Sequence, residues 1–191
     1  MNLTELPDSI CTLKQLRYFN LSHTAIKVLP ESVCTLYNLQ TLLLSCCRSL
    51  IELPANMGWL VNFRHLDISE TNVIEMPLQL GRLKSLQTLT SFIMDKKGGS
   101  GIKELRELRQ LKGSLSVLKL ENVVDARDAF EANLRDKLQL NELVLNWGGH
   151  TDDSLKDRKV IINNKCPIEK IVYLCFSCNR KRPEKSKADP Q

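Results

Sequence analysis

The sequence predicts an α/β solenoid: stacked coils of about 23 residues, with a curved parallel sheet on the concave face and short helices and irregular segments on the convex face. Three observations predict it. Four Leu/Met-Pro pairs, Leu6-Pro7, Leu29-Pro30, Leu53-Pro54 and Met76-Pro77, set their prolines 23, 24 and 23 residues apart. Each pair is followed by a segment ending in leucine, at Leu13, Leu36, Leu60 and Leu83, and then by L-x-x-L-x-L. Hydrophobic residues make up 42% of the 191 positions but aromatics only 5%, so the core must be built mainly from Leu, Ile and Val.

The successive copies of L-x-x-L-x-L are Leu16, Phe19, Leu21; Leu39, Leu42, Leu44; and Phe63, Leu66, Ile68. In L-x-L the two apolar side chains lie two apart, point to one face of a short strand, and leave the residue between them facing outward. One coil cannot bury its own leucines, whereas stacked coils form a continuous aliphatic ladder. The proline fixes φ and removes a donor, which suits the start of the convex return. Thr24, Cys47 and Thr71 take the position that leucine-rich repeats fill with Asn or Cys, and Ile26, Leu50 and Val73 follow shortly after. The expected fold is therefore a leucine-rich-repeat solenoid. The extra residue of the 24-residue copy falls in Cys46-Cys47-Arg48-Ser49, and the fourth copy, Leu86 and Leu89, is degenerate because Ser91 takes its last position.

The later coils are longer. Lys96–Gly101 has the composition of a loop. Ile102, Leu105 and Leu108 predict a helix with one apolar face. Leu115, Leu118, Leu120 and Val123 predict a strand, and Asp125 caps a helix to about Leu138 with Ala126, Ala129, Phe130, Leu134 and Leu138 at helical spacing. Leu140, Leu143, Leu145 and Trp147 give the last strand. The ladder would be roughly 24 Å long for six strands. The expected domain spans 1–155, opening inside a repeat and incomplete at both ends, with 156–191 as a basic tail that is disordered or outside the family pattern. Strand edges left open at the ends predict poor solubility of 1–155 alone.

The net charge of +5 does not indicate nucleic acid. The tail from Lys156 carries 10 basic and 4 acidic groups, while 1–95 carries 7 and 8, so the body has no basic stripe to meet a phosphate backbone. No apolar run approaches the roughly 20 residues of a membrane helix, and Asp8, Lys14 and Arg17 interrupt any signal-like segment. Seven cysteines, several at core positions, argue against a disulfide framework and for a reducing, intracellular setting. The sequons at Asn2 and Asn20 are then coincidental.

The run L-P-x-S-[IV]-C-x-L-x-x-L at Leu6–Leu16 and Leu29–Leu39 is similar to plant intracellular immune receptors of the nucleotide-binding, leucine-rich-repeat type, coiled-coil class. Leu86-Gln87-Thr88-Leu89 with Phe92, Ile102-Lys103-Glu104-Leu105, Asn122-Val123, and the series Asp125-Ala126, Ala129, Leu134, Lys137, Leu140, Leu143, Leu145, Trp147 resemble the same family. The resemblance implies a non-catalytic recognition and autoregulatory fragment acting in defence. Its concave face would meet a pathogen effector or a monitored host protein, and the domain would pack against a nucleotide-binding module in a longer receptor. The alternative is a free-standing repeat scaffold for signalling proteins. The sequence lacks G-x-x-x-x-G-K-[ST], so it offers no phosphate cradle of that kind.

The candidate partner-binding strip is the outward-facing set: Arg17, Tyr18, Asn20; Gln40, Thr41, Leu43; Arg64, His65, Asp67; Gln87, Thr88, Thr90; then Ser116, Val117, Lys119, Glu142 and Val144. Mixed charge with an exposed aromatic suits a protein partner. No converging acid, base and nucleophile suggests catalysis. His23, His65 and His150 are scattered, and Cys166, Cys175 and Cys178 supply one ligand too few for zinc. No cofactor, metal, nucleic acid or membrane partner is expected. Location is cytoplasmic, with the Arg180-Lys181-Arg182 run offering a weaker nuclear signal than a solvated tail.

Overall fold

A computed structural model describes residues 3–95, 101–123, 126–147 and 158–163. Each proline leads into a 3₁₀ turn on the return side of its coil: Asp8–Thr12, Glu31–Thr35, Met57–Trp59 and Leu80–Arg82. Pro7 and Pro30 cap the first two with φ of −71° and −66°, and their carbonyls accept the N–H groups of Ile10 and Val33. The ring thus pre-sets the turn, as its fixed φ predicts.

Four short strands follow, β1 (Tyr18–Asn20), β2 (Thr41–Leu43), β3 (His65–Asp67) and β4 (Thr88–Leu89), paired in parallel in chain order. Phe19 lies beside Leu42, Leu42 beside Leu66 and Leu66 beside Leu89. The equivalent leucines of adjacent coils therefore lie above one another, the stacking on which the predicted fold depends. Leu36, Leu60, Leu83 and Leu108 form a second buried column, whereas Leu13 of the first coil is half exposed. A coil is sealed by its neighbours on both sides, so burial is completed only inside the stack.

Polar side chains add hydrogen bonds to main-chain carbonyls within and between the coils. Thr24 Oγ1 and Cys47 Sγ both donate to the Leu21 carbonyl at 2.7 and 3.0 Å, and Thr71 Oγ1 donates to that of Ile68 at 2.8 Å. Asn38 and Asn62 each reach back to the preceding coil, donating to the Lys14 and Tyr37 carbonyls at 2.8 Å. Coils approach closely at Gly58, where a Cβ would stand 2.7 Å from the Gln79 carbonyl oxygen.

A second sheet contains β5 (Ser91–Ile93), β6 (Gly113–Leu118), β7 (Leu140–Trp147) and β8 (Arg158–Asn163), the first three parallel and β8 antiparallel to β7. The sheets part at Thr90. In the earlier coils the N–H groups of Leu21 and Leu44 donate to the carbonyls of Leu43 and Asp67. At the next step Ile68 N–H donates instead to Thr90 Oγ1 at 2.9 Å, while the Thr90 carbonyl accepts from Ser116 N–H at 3.0 Å. One side chain closes the first ladder and frees its carbonyl to open the second. The fourth copy is thus one residue longer than its motif, with Phe92 filling the core position expected at Ser91.

Two expectations are corrected and a third is refined. The β6 motif begins at Leu111, not Leu115: a bulge between Gly113 and Ser114, with Gly113 at φ +80°, shifts the register, so Leu115 and Val117 are the fully buried positions and Leu118 is only partly buried against the core. The helix expected to run to Leu138 is broken. It forms as α1 (Ala126–Glu131), a left-handed Asn133 (φ 50°) and a 3₁₀ turn Leu134–Asp136, so Ala132 and Lys137 turn inward while Phe130 and Leu138 are 61% and 82% exposed. The segment Ile102–Glu107 is a 3₁₀ helix, continuing the pattern of the earlier coils. In addition, β8 pairs the outer edge of β7, an edge expected to lie open, from within the 156–191 segment. The loop at 96–100, the Asp125 cap, His150, Cys166, Cys175, Cys178 and the 180–182 run lie outside the described residues.

Candidate partner-binding face

The strand pairing sets the predicted strip in rows. Tyr18, Thr41, His65 and Thr88 form one cross-strand row; Asn20, Leu43 and Asp67 form another. A third row lies one residue before the strands, where each carbonyl accepts two N–H groups of the next coil: Arg17 from Gln40 and Thr41, Gln40 from Arg64 and His65, Arg64 from Gln87 and Thr88. Gln87 continues this row to Lys112, whose N–H it accepts at 2.8 Å. Basic residues thus alternate with glutamines, Arg17–Gln40–Arg64–Gln87–Lys112. At a strand spacing of roughly 4.8 Å the three cations stand roughly 10 Å apart.

Lys112 is the residue that sequence reasoning missed. The signal was present in Leu111-Lys112-Gly113, but anchoring the motif at Leu115 skipped it. The same shift misplaced Lys119 and Val117. Lys119 lies beyond β6 in a left-handed turn (φ 59°) and donates from Nζ to the Ile74 carbonyl at 2.5 Å, and Val117 is wholly buried. Ser116 is half-buried and pairs with Ser91. Glu142 Oε2 accepts from Ser114 Oγ at 3.2 Å, and Val144 is buried.

Several strip residues spend their polar atoms inside the sheet. His65 Nδ1 and Thr88 Oγ1 are hydrogen-bonded to one another. Asp67 Oδ1 accepts from the Ser69 N–H and hydroxyl at 3.0 and 2.7 Å, and Asn20 Oδ1 accepts from Ser22 N–H at 2.9 Å. Thr90 is the joint described above. Partial burial lowers the His65 pKa below its ordinary value, with Lys112 and Arg64 acting in the same direction. Left facing outward are Tyr18, which is 57% exposed, and the Arg17, Gln40, Arg64, Gln87, Lys112 row, with no side-chain hydrogen bond or ion pair among the described residues.

The remaining chemistry is structural. Burial, then the Glu31 carboxylate, push the Cys34 thiol up to about 12, far from the reactive thiolate range. His23 sits in a left-handed turn (φ 60°) after β1. Among the described residues no group of three His, Cys, Asp or Glu side chains could hold a metal ion, and no helix is long and apolar enough to cross a membrane.

This stack of parallel strands, sealed by aliphatic columns and presenting an extended outer strip, defines a repeat protein of the protein-contact class. The chain belongs to the leucine-rich repeat family: a family model for a leucine-rich repeat region matches residues 5–113, and a second, for the R13L1/DRL21 repeats, matches 102–181. The second match continues past the boundary that composition sets at 155. Its repeats are those of the leucine-rich-repeat region of plant disease resistance proteins. It is 53% identical over 145 residues to an Arabidopsis thaliana protein designated a disease resistance protein, covering 76% of this chain and 10% of that one. It is 50% identical over 141 residues to an RPP13-like disease resistance protein of the same plant, covering 74% and 13%. The chain thus spans about a tenth of the length of these relatives. Among solved structures, the leucine-rich repeat domain of the type III effector XopL resembles it with a TM-score of 0.50 at 26% identity, over 61% of this chain and 41% of that one. The matching family models describe repeat regions, not a catalytic domain.

Proposed function

We propose that the chain is the recognition and autoregulatory part of a plant immune receptor acting in the defence response from the cytoplasm. It is not an enzyme and needs no cofactor. Its outer strip meets a protein, either a pathogen effector or a host protein that the receptor monitors, and in a longer receptor the repeats pack on the nucleotide-binding module. The observation that carries the reading is the exposed Tyr18 beside the unsatisfied Arg17–Gln40–Arg64–Gln87–Lys112 row, in repeats whose relatives are disease resistance proteins. An aromatic anchor flanked by arginines is the composition of protein-contact hot spots. The spaced cations favour a partner with carboxylates at matching intervals. The relatives favour a receptor over a free-standing scaffold.

The test is made in a receptor carrying these repeats, transiently expressed in leaf. Tyr18→Ala with Arg64→Glu should cut partner co-precipitation and effector-triggered cell death at least tenfold at unchanged protein level. Val61→Ser, at an exposed position outside the strip, should leave both as they are. Unchanged recognition in the Tyr18/Arg64 variant would remove the strip from the function.

A further inference from the structure

On the opposite side of the last coils, one column of the core is interrupted. Leu13, Leu36, Leu60, Leu83 and Leu108 hold the same place in five coils, and in the next coil that place is taken by Lys137. Its side chain is buried, with 4% of its surface exposed. Its Nζ donates to the Leu108 carbonyl at 2.7 Å. In the earlier coils that carbonyl is occupied by the main chain, as when Leu16 N–H binds Leu13, Leu39 N–H binds Leu36, Phe63 N–H binds Leu60 and Leu86 N–H binds Leu83; the corresponding bond from Leu111 is absent. The lysine is thus held in place by one hydrogen bond, and its charge is not neutralised by it.

Next to Lys137 opens a cleft of about 310 Å³, lined by Arg106, Arg109, Asn133, Asp136 and Lys137. Arg106 lies in the last turn of a 3₁₀ helix that ends at Glu107, Arg109 lies just beyond its cap at Leu108, and both line the cleft. Both are exposed, and neither guanidinium makes a hydrogen bond or ion pair among the described residues. The Asp136 carboxylate, the one acid among the described residues that line the cleft, accepts from Asn133 Nδ2 at 2.5 Å. Glu107 nearby faces Lys84 at 4.0 Å. The exposed guanidinium groups of Arg106 and Arg109 and the buried Lys137 therefore line a concave space with, among the described residues, a single and already engaged carboxylate. Burial, then Arg109, bring the Lys137 pKa down to about 8 against the opposing pull of Asp136 and Glu107, so the ammonium is uncomfortable but mostly charged at pH 7.

We infer that this cleft binds a small phosphate-class polyanion. Guanidinium groups present planar pairs of N–H donors that match phosphate oxygens, and a lysine adds a point charge at the cleft wall. The volume lies at the lower end of small-molecule sites, which start at roughly 300 Å³. It fits a pyrophosphate or a sugar phosphate. The site lies on the convex side and does not depend on the proposed role of the concave strip.

The full chain is melted and titrated calorimetrically with inorganic pyrophosphate at constant ionic strength, with sodium chloride and sodium sulfate as parallel arms. Pyrophosphate should bind saturably at millimolar concentration or below and raise the melting temperature; sulfate should bind at least threefold more weakly, and chloride should do neither. Arg106→Gln with Arg109→Gln, both at exposed positions and therefore expected to fold, should weaken pyrophosphate at least tenfold. Arg82→Gln, on an earlier coil, should not. A response matched by chloride, or one that survives Arg106→Gln/Arg109→Gln, overturns the assignment. So does a phosphoserine octapeptide that binds tenfold tighter than pyrophosphate, because the ligand would then be a protein.

Discussion

The first three coils and the later ones reach the same ladder by different means. In the first three, the strand, proline turn and core leucines recur at 23–24 residues and each rung copies the last. In the later ones the coils change length, the strands grow to as many as eight residues and one rung reverses direction. At two of the irregularities a side chain stands in for a missing main-chain group. Thr90 Oγ1 takes an N–H that a carbonyl takes elsewhere, and Lys137 Nζ fills a carbonyl that an N–H fills elsewhere. A repeat fold therefore tolerates insertions where a single polar side chain can complete the hydrogen-bond account that every buried backbone group imposes.

The comparison is tested most severely at Lys137, where the irregular coil departs from the leucine column. Its folded pKa, about 8, lies below the 10.5 of the free side chain. Below pH 8 both folded and unfolded chains hold the proton, and the penalty of a buried cation is present in full. Between about 8 and 10.5 the unfolded chain holds more protons, so stability rises with pH across that window. The gain should be on the order of 2 kcal/mol. Lys137→Leu, which restores the column, should lack this rise. Urea unfolding of both chains at pH 7.5 and 10 in a phosphate-free buffer measures it, and parallel slopes would mean that Lys137 is not buried as a cation.

The joint between the sheets gives the next largest effect. Thr90→Val keeps the shape and removes the acceptor for Ile68 N–H, leaving a part-buried donor without a partner, a loss of about 1–2 kcal/mol. Hydrogen exchange localises it: the Ile68 amide should lose protection while the Leu44 amide, which donates to the Asp67 carbonyl, keeps its own. Equal loss at both would show that the two sheets unfold as one unit.

The regular coils were legible because one signal, leucine at fixed offsets, sets strand, face and register together. Fold, stacking order and most of the outer strip followed from it, including Tyr18, Arg17 and Arg64. The later coils were not, because their motif is interrupted by single residues with no apolar signature. The shift at Gly113 moved Val117 inward and hid Lys112, since Leu118 and Leu120 imitated the expected spacing one step late. Nor does periodicity reveal which strip residues are engaged internally: Asp67, Thr88 and Thr90 look like surface residues until their partners are placed.

The smallest expected effect separates helical spacing from the broken helix. Were α1 continuous to Leu138, that leucine would pack in the core, and Leu138→Ser would cost several kcal/mol, as buried large-to-small changes do, at about 2–5 kcal/mol. With Asn133 in the left-handed region the phase is reset, Leu138 stands 82% exposed and Lys137 takes the inward position. The substitution should then stay within about 0.5 kcal/mol of the unaltered chain in urea unfolding. It should also leave the pH dependence of Lys137 intact, because the inward position belongs to its neighbour. A large loss would return the segment to a regular helix and with it remove the lysine from the leucine column.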